Sequence, residues 1–541
     1  MNPNQVRVSS PTQPLPSVYP DIQGLNPSNF QLPPEGLPHE LRKTALNQLS
    51  EYLSTQKAHY LGYQDNQQLN YAKDLHQYLD CHINNISDPF ISGNLTTNTK
   101  VMERAVLDYY ASLWNASWPH DPHDPESYWG YVLSMGSTEG NLHGLCNGRD
   151  YLSGKVLSSD PVAKENAKKA SLSGKDRRVH AHFVYQQAPE PADNPNAYKP
   201  VAFFSEDSHY SVFKAMRILG IPTFHQLGEG LYKGENPLDP GEPWPHEVPS
   251  LADGSIDIDA LEILVEFFAA KGYPILINFN YGTTFKGAYD DVEAAGERLI
   301  PIFKRYNLYE REVDGKIRDG FWFHVDGALG AAYMPFVEMA YKQGLSKAKG
   351  PNFDFRLGYV HSITMSGHKW NGSPWPCGVF MTKVKYQLRP PDIQDYVASP
   401  DTTLSSSRNG FSALILWNYL ATNSYDTQIK RFLRIQKVAA YACKQLEELA
   451  TELGQELWVE QNPLSLSLHF KRANERLISK YSLSNATYWV QGEKREYSNI
   501  FIMDHVTESL IDDFIEDLRQ DPYPFPCQTP LPDKVETPAF L

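Results

Sequence analysis

The chain has 541 residues, 41% of them hydrophobic, and a formal charge of −15. That size allows a large core and more than one domain, and the acidic balance excludes a general affinity for nucleic acid or anionic membrane. Five scattered cysteines (Cys81, Cys146, Cys377, Cys443, Cys527) form no CxxC pair, which argues against a disulfide framework or zinc site and for a reducing compartment.

The opening MNPNQVRVSSPTQPLP has no apolar h-region, and no run reaches transmembrane length. The expectation is a cytoplasmic protein without a membrane partner. Residues 1–40, rich in Pro, Asn and Gln, read as an extended arm. From Glu40 to about Phe90 the pattern is helical and aromatic. NTKVMERAVLDYYASLWN then spaces Val101, Val106, Leu107, Tyr110 and Leu113 as a helical stripe.

Short apolar runs follow at 131–135 (YVLSM), 201–204 (VAFF), 275–279 (ILINF), 321–325 (FWFHV) and 361–366 (HSITMS). Strands of this kind alternating with helical segments predict an α/β fold with a largely parallel sheet covered on both faces. Segments 154–200 and 228–255 read as surface insertions. After about Pro390 a long helical stretch, then SLSLHF and YSNIFIMDHV, predict a smaller α+β domain. The Pro-rich end, DPYPFPCQTPLPDKVETPAFL, reads as an extended tail. The three parts are 1–100, 101–390 and 391–541.

Four stretches fall at predicted strand ends, where open α/β sheets bind ligands. GSTEGNLHG (136–144) offers glycine and small hydroxyls at a strand-to-helix turn, which hold an anion or merely cap a helix. SEDSHYS carries His209, a lone histidine for which a structural role stands beside a functional one. HVDGA ends an apolar strand in Asp326, with no Lys or Arg beside it in sequence, and Ala328 leaves room for a flat ring. SGHK brings Lys369, an amine costly to bury unless something uses it. A Schiff-base lysine, a carboxylate to keep a pyridine nitrogen protonated, an imidazole to stack and a turn to hold phosphate are what pyridoxal 5'-phosphate requires.

These motifs, in the order LGYQDNQQLNY, INNISDPF, GSTEGNLHG, SEDSHYS, YGTTFKGAYDD, HVDGALGAAY, SGHKWNGSPWPCGV and SSSRNGFSALILW, resemble the group II pyridoxal-phosphate amino-acid decarboxylases. The resemblance implies fold type I: a mostly parallel, seven-stranded-type sheet domain between an N-terminal segment and a small C-terminal domain. It also implies a homodimer with active sites at the interface. Lys369 matches the cofactor lysine, Asp326 the partner of the ring nitrogen and His209 the stacked imidazole. Ser137, Thr138, Ser366 and His368 match the phosphate end. Thr284 matches a contact to the cofactor hydroxyl or to Asp326, with Thr283 as the alternative. In SSSRNG, Ser406 or Ser407 matches a reach into the partner's phosphate site, or else the loop is a polar turn. Tyr396, on the polar loop RPPDIQDYVASPDTT, matches the tyrosine that protonates the substrate carbon, though its spacing to the following arginine differs by a few residues.

The implied reaction is decarboxylation of an L-amino acid to a primary amine. The longer termini bring the chain closer to decarboxylases of methionine, leucine or valine. The alternatives are a histidine or aromatic amino-acid decarboxylase, an aldehyde synthase or transaminase, and an inactive binding relative. Tyr60, Tyr63 and Phe90 are candidates to line an apolar side-chain pocket. Two further patterns fail: HDPHD (120–124) has prolines that break metal-ligand spacing, and GRDYLSGK (148–155) has the wrong glycine spacing for a phosphate loop.

Overall fold

The computed structural model describes residues 24–159, 183–387, 396–490 and 493–526, together with Ile22, Ile393 and Gln394. Most of the expected N-terminal arm, all but its start of the Pro-rich tail, and part of the 389–403 loop lie outside the described residues.

Six strands form the central sheet: β1 (Tyr128–Leu133), β2 (Val201–Phe203), β3 (Ile275–Asn280), β4 (Phe321–Asp326), β5 (Ser362–Ser366) and β6 (Gly378–Lys383), in the order β1-β6-β5-β4-β3-β2. Strands β2 to β5 pair in parallel, and β6 runs antiparallel between β5 and β1. All five strands expected from apolar runs are present, and β6 adds one that the sequence reading lacked. The resemblance implies a seventh strand. Its place beside β2 is held by one parallel bridge, Ala202 to Thr223. Pro222 there has no N–H to extend a ladder, and Thr223 at once caps the helix Phe224–Leu231.

Strands β3, β4 and β5 are buried on both faces, as a helix-covered parallel sheet requires. Their polar residues follow the period of two and fall in register. Asn278 pairs with His324 and His324 with Ser362, while Asn280 pairs with Asp326 and Asp326 with Thr364. Two polar rows therefore cross one face of the sheet near its C-terminal edge.

Over those rows lies α2 (Ser137–Leu152), after α1 (Lys100–Leu113). It approaches closely because its sheet-facing positions are glycines. A Cβ on Gly140 would lie 1.9 Å from Thr364 Oγ1, and one on Gly144 would lie 2.6 Å from His324. The helix α3 (Tyr210–Leu219) follows β2 and packs against α2. Farther along, α4 (Gly410–Thr422) packs on α1, and a three-stranded antiparallel sheet forms from β7 (Ser467–Lys471), β8 (Ser484–Val490) and β9 (Glu493–Phe501). No helix of the described residues is long and apolar enough to cross a membrane.

Candidate active site

Five strand-end turns meet in a cavity of about 240 Å³ at the C-terminal edge of the sheet. Ser137, Thr138, His209, Thr284, Asp326, Ala328, Ser366, His368 and Lys369 all line it. A larger cleft of about 790 Å³ opens at the opposite end of β4, beside Phe321, away from the strand ends that carry these groups.

Asp326 is the last residue of β4. Its Oδ1 accepts the backbone N–H of Ala328 at 3.1 Å, and its Oδ2 accepts from Asn141 Nδ2 at 2.7 Å. Lys369 follows β5 and faces the cavity. Burial lowers its ammonium pKa, opposed by the carboxylates of Asp326 and Asp65, which favours a neutral, nucleophilic amine. His209 is the N-cap of α3, with Nδ1 placed 2.8 Å from Ser211 Oγ. Burial lowers its pKa too; Asp326 opposes this and Lys369 adds to it.

The other end of the cavity is the start of α2. Gly136 holds φ +67°, and a Cβ there would come within 2.7 Å of His368 Cε1, so the turn keeps an open cradle beside that ring. The Ser137 N–H donates to Ser366 Oγ at 3.0 Å, and Ser137 and Thr138, the first two residues of α2, line the same space. Glu139, fully buried, clamps the turn from behind by accepting Ser134 N–H at 2.8 Å and Met135 N–H at 2.9 Å. Burial pushes its pKa up. Thr283 and Thr284 both reach the cavity. The Thr283 hydroxyl is occupied with the Ala288 N–H at 3.0 Å, while the Thr284 carbonyl accepts from Gln64 at 3.4 Å.

Six expected residues stand apart from this cavity. Tyr396 is 76% exposed on its loop. Ser406 lies at φ +55° with its carbonyl accepting Ser87 N–H at 2.9 Å, and exposed Ser407 accepts from Asn84 Nδ2 at 3.2 Å. Next to them, buried Arg408 pairs with buried Glu103, so half-buried Ser406 and exposed Ser407 ride on a fixed base. Phe90 is stacked on His120 at 3.6 Å and packs against Tyr128, not the cavity. Tyr60 donates to Asp65 at 3.0 Å, and Tyr63 is half exposed.

Sequence reasoning missed Asn141, Glu139 and Asp65. For Asn141 a signal existed, since it lies one helical turn beyond Ser137 in GSTEGN. Asp65 sits in LGYQDNQQLNY, a segment brought over the site only by tertiary packing.

The set fits pyridoxal 5'-phosphate on this structure's own terms: an amine whose charged form burial disfavours, an acceptor carboxylate near it, an imidazole beside that carboxylate, and a glycine turn at a helix N-terminus that leaves a cradle for an anion. The comparisons agree. The pyridoxal-dependent decarboxylase conserved domain matches residues 177–457. The solved L-methionine decarboxylase from Streptomyces sp.590 is 46% identical, covering 92% of this chain and 98% of that one, with a TM-score of 0.83. The histidine decarboxylase of Solanum lycopersicum is 29% identical over 88% of each chain. Serine decarboxylase 1 of Oryza sativa subsp. japonica is 27% identical over 85% of this chain and 72% of its own.

Proposed function

We propose, from the premise that the chain belongs to the pyridoxal-dependent decarboxylases and is an amino-acid decarboxylase, that its substrate is an aliphatic L-amino acid, with L-methionine first and leucine and valine next. One observation carries this choice. Identity to the methionine decarboxylase is 46% across nearly the whole of both chains, against 29% and 27% for the histidine and serine enzymes.

Bound pyridoxal phosphate supplies an electron sink for the pair left on the α-carbon when carbon dioxide departs. Lys369 offers the amine that attaches to the cofactor carbonyl. Asp326 would keep a proton on the ring nitrogen, His209 would stack on the ring, and Ala328 would leave space for it. Ser137, Thr138, Ser366 and His368 hold the phosphate, and Thr284 contacts the ring hydroxyl. Tyr396 delivers the proton to the α-carbon that replaces the lost carboxylate.

Two copies form a homodimer in this reading, with Ser406 or Ser407 completing the phosphate site of the partner. The exposure of Ser407 on the base fixed by Arg408, and that of Tyr396, support an action outside their own chain's cavity. The enzyme works in the cytoplasm.

The test is release of amine and carbon dioxide by the cofactor-loaded protein across the standard amino acids. Methionine, leucine or valine should give equal amounts of both. A preference for histidine, serine or an aromatic substrate would overturn the substrate choice, and aldehyde in place of amine would overturn the reaction.

A further inference from the structure

Asn141 does not line the cavity, yet it joins two of the residues that do. It is fully buried, and every polar group of its side chain is in use. Its Nδ2 donates to Asp326 Oδ2 at 2.7 Å and to Ser211 Oγ at 3.0 Å, while its Oδ1 faces His324 Nε2 at 3.0 Å.

Counting donors and acceptors through this network fixes where each proton sits. Asp326 receives one N–H on each oxygen, from Ala328 and from Asn141. Neither donor can accept a proton in return, so the arrangement is satisfied by Asp326 as an acceptor alone. The Ser211 hydroxyl already accepts from Asn141, and its one proton is left for His209 Nδ1 at 2.8 Å. The Ser211 backbone N–H also points at that nitrogen, at 3.3 Å. His209 Nδ1 therefore receives two donors, and the ring proton belongs on Nε2.

The amide cannot turn over. Burial of His324 pushes its pKa down to about 4, so the ring is neutral. With the amide oriented by the Asp326 carboxylate, the His324 Nε2 proton goes to Asn141 Oδ1 at 3.0 Å and its Nδ1 accepts from the Ser362 hydroxyl at 2.8 Å. A flipped amide would set its oxygen against the Asp326 carboxylate at hydrogen-bond distance.

We infer that Asn141 is a positioning residue: one side-chain amide presents Asp326 to the cofactor ring nitrogen as an acceptor and, through Ser211, holds His209 in its Nε2–H tautomer. This rests on the reading of the cavity as the pyridoxal phosphate site. It links the two sides of the ring, because whatever disturbs the amide disturbs the carboxylate and the imidazole together.

The test uses the full chain with ring-¹⁵N-labelled histidine, the cofactor removed and restored, and His209→Gln to assign the signal. The wild type should show a bare His209 Nδ1 and a protonated Nε2 even without cofactor. Asn141→Leu should lose that single tautomer and bind pyridoxal phosphate roughly ten- to a hundredfold more weakly. Asn141→Asp keeps the shape but sets oxygen against Asp326, and should show the same losses. Ser211→Ala should disturb the His209 tautomer while leaving cofactor affinity nearly unchanged. If Asn141→Leu does not fold, Asn141→Asp decides. A folded Asn141→Asp protein with the wild-type His209 tautomer and cofactor affinity overturns the inference. Failure of the proposed function would appear separately, as a wild type that releases no amine.

Discussion

Ser366 and Ser137 exchange two hydrogen bonds across the floor of the cavity. The Ser366 hydroxyl accepts the Ser137 N–H at 3.0 Å and donates to Ser137 Oγ at 3.0 Å. The end of β5 is thereby tied to the first turn of α2, the turn assigned to phosphate. Ser366→Ala removes both bonds without changing the backbone, and leaves the buried Ser137 N–H unpaired. Cofactor affinity should fall roughly tenfold, measured by titration with pyridoxal phosphate. An unchanged affinity would show that the tie is dispensable to the anion site.

Lys369→Ala should abolish both the visible absorbance of the cofactor-loaded protein and amine release, because no second amine among the described residues lines the cavity. It should not unfold the protein, since it removes an amine whose charged form is disfavoured by burial. Retention of the wild-type visible spectrum would move the attachment to another lysine.

His143 gives a prediction in pH. Burial lowers its pKa to about 3, with His324 adding to the shift, whereas an unfolded histidine titrates near ~6.5. As pH falls below about 6.5 the unfolded chain takes up the proton first, so this residue's stability is present above that pH. It is lost progressively down to pH about 3, at up to about 1.4 kcal/mol per pH unit. His143 packs on Phe380 at 4.7 Å between centroids. His143→Leu should keep that packing and flatten the dependence of the urea midpoint on pH between about 6 and 4. An equally steep dependence in the variant would assign the acid lability elsewhere.

Tyr396→Phe removes one oxygen from an exposed loop side chain, so stability and cofactor absorbance should stay as they are. Amine output should drop sharply, if the phenol is the proton donor to the α-carbon. Amine released at the wild-type rate would pass that role to His209 or to water.

The strand ends were readable in the sequence because period-two polar residues within apolar runs, such as His324 and Asp326 in FWFHVD, survive in any context that buries a parallel sheet. Strand β6 was not, since GVFMTK follows the irregular NGSPWPC and has no helical crossover before it to announce a strand. The Asn141 network was hidden for a different reason. Its partners Ser211, His324 and Asp326 are far from it in sequence and are brought near by the glycine face of α2. Phe90 looked like a pocket aromatic in SDPF, but the stacking of His120 on its ring draws it toward β1. The roles proposed for Tyr396, Ser406 and Ser407 rest on motif order alone, since each lies apart from the cavity.

The antiparallel insertion of β6 also sets a schedule for synthesis. In the central sheet β1 pairs with β6 alone, Tyr128 opposite Lys383 and Leu133 opposite Gly378. At ~5–20 residues per second, a ribosome takes roughly ten to fifty seconds to travel from one to the other. Throughout that interval the nascent chain carries YWGYVL with both backbone edges open, a run rich in aromatic and β-branched residues and free of charge. Pairing of β1 is therefore held until late in translation, and any fragment ending before β6 leaves that strand without its partner. Yield from a heterologous host should accordingly depend on chaperone supply and on growth temperature more than on codon choice near the start.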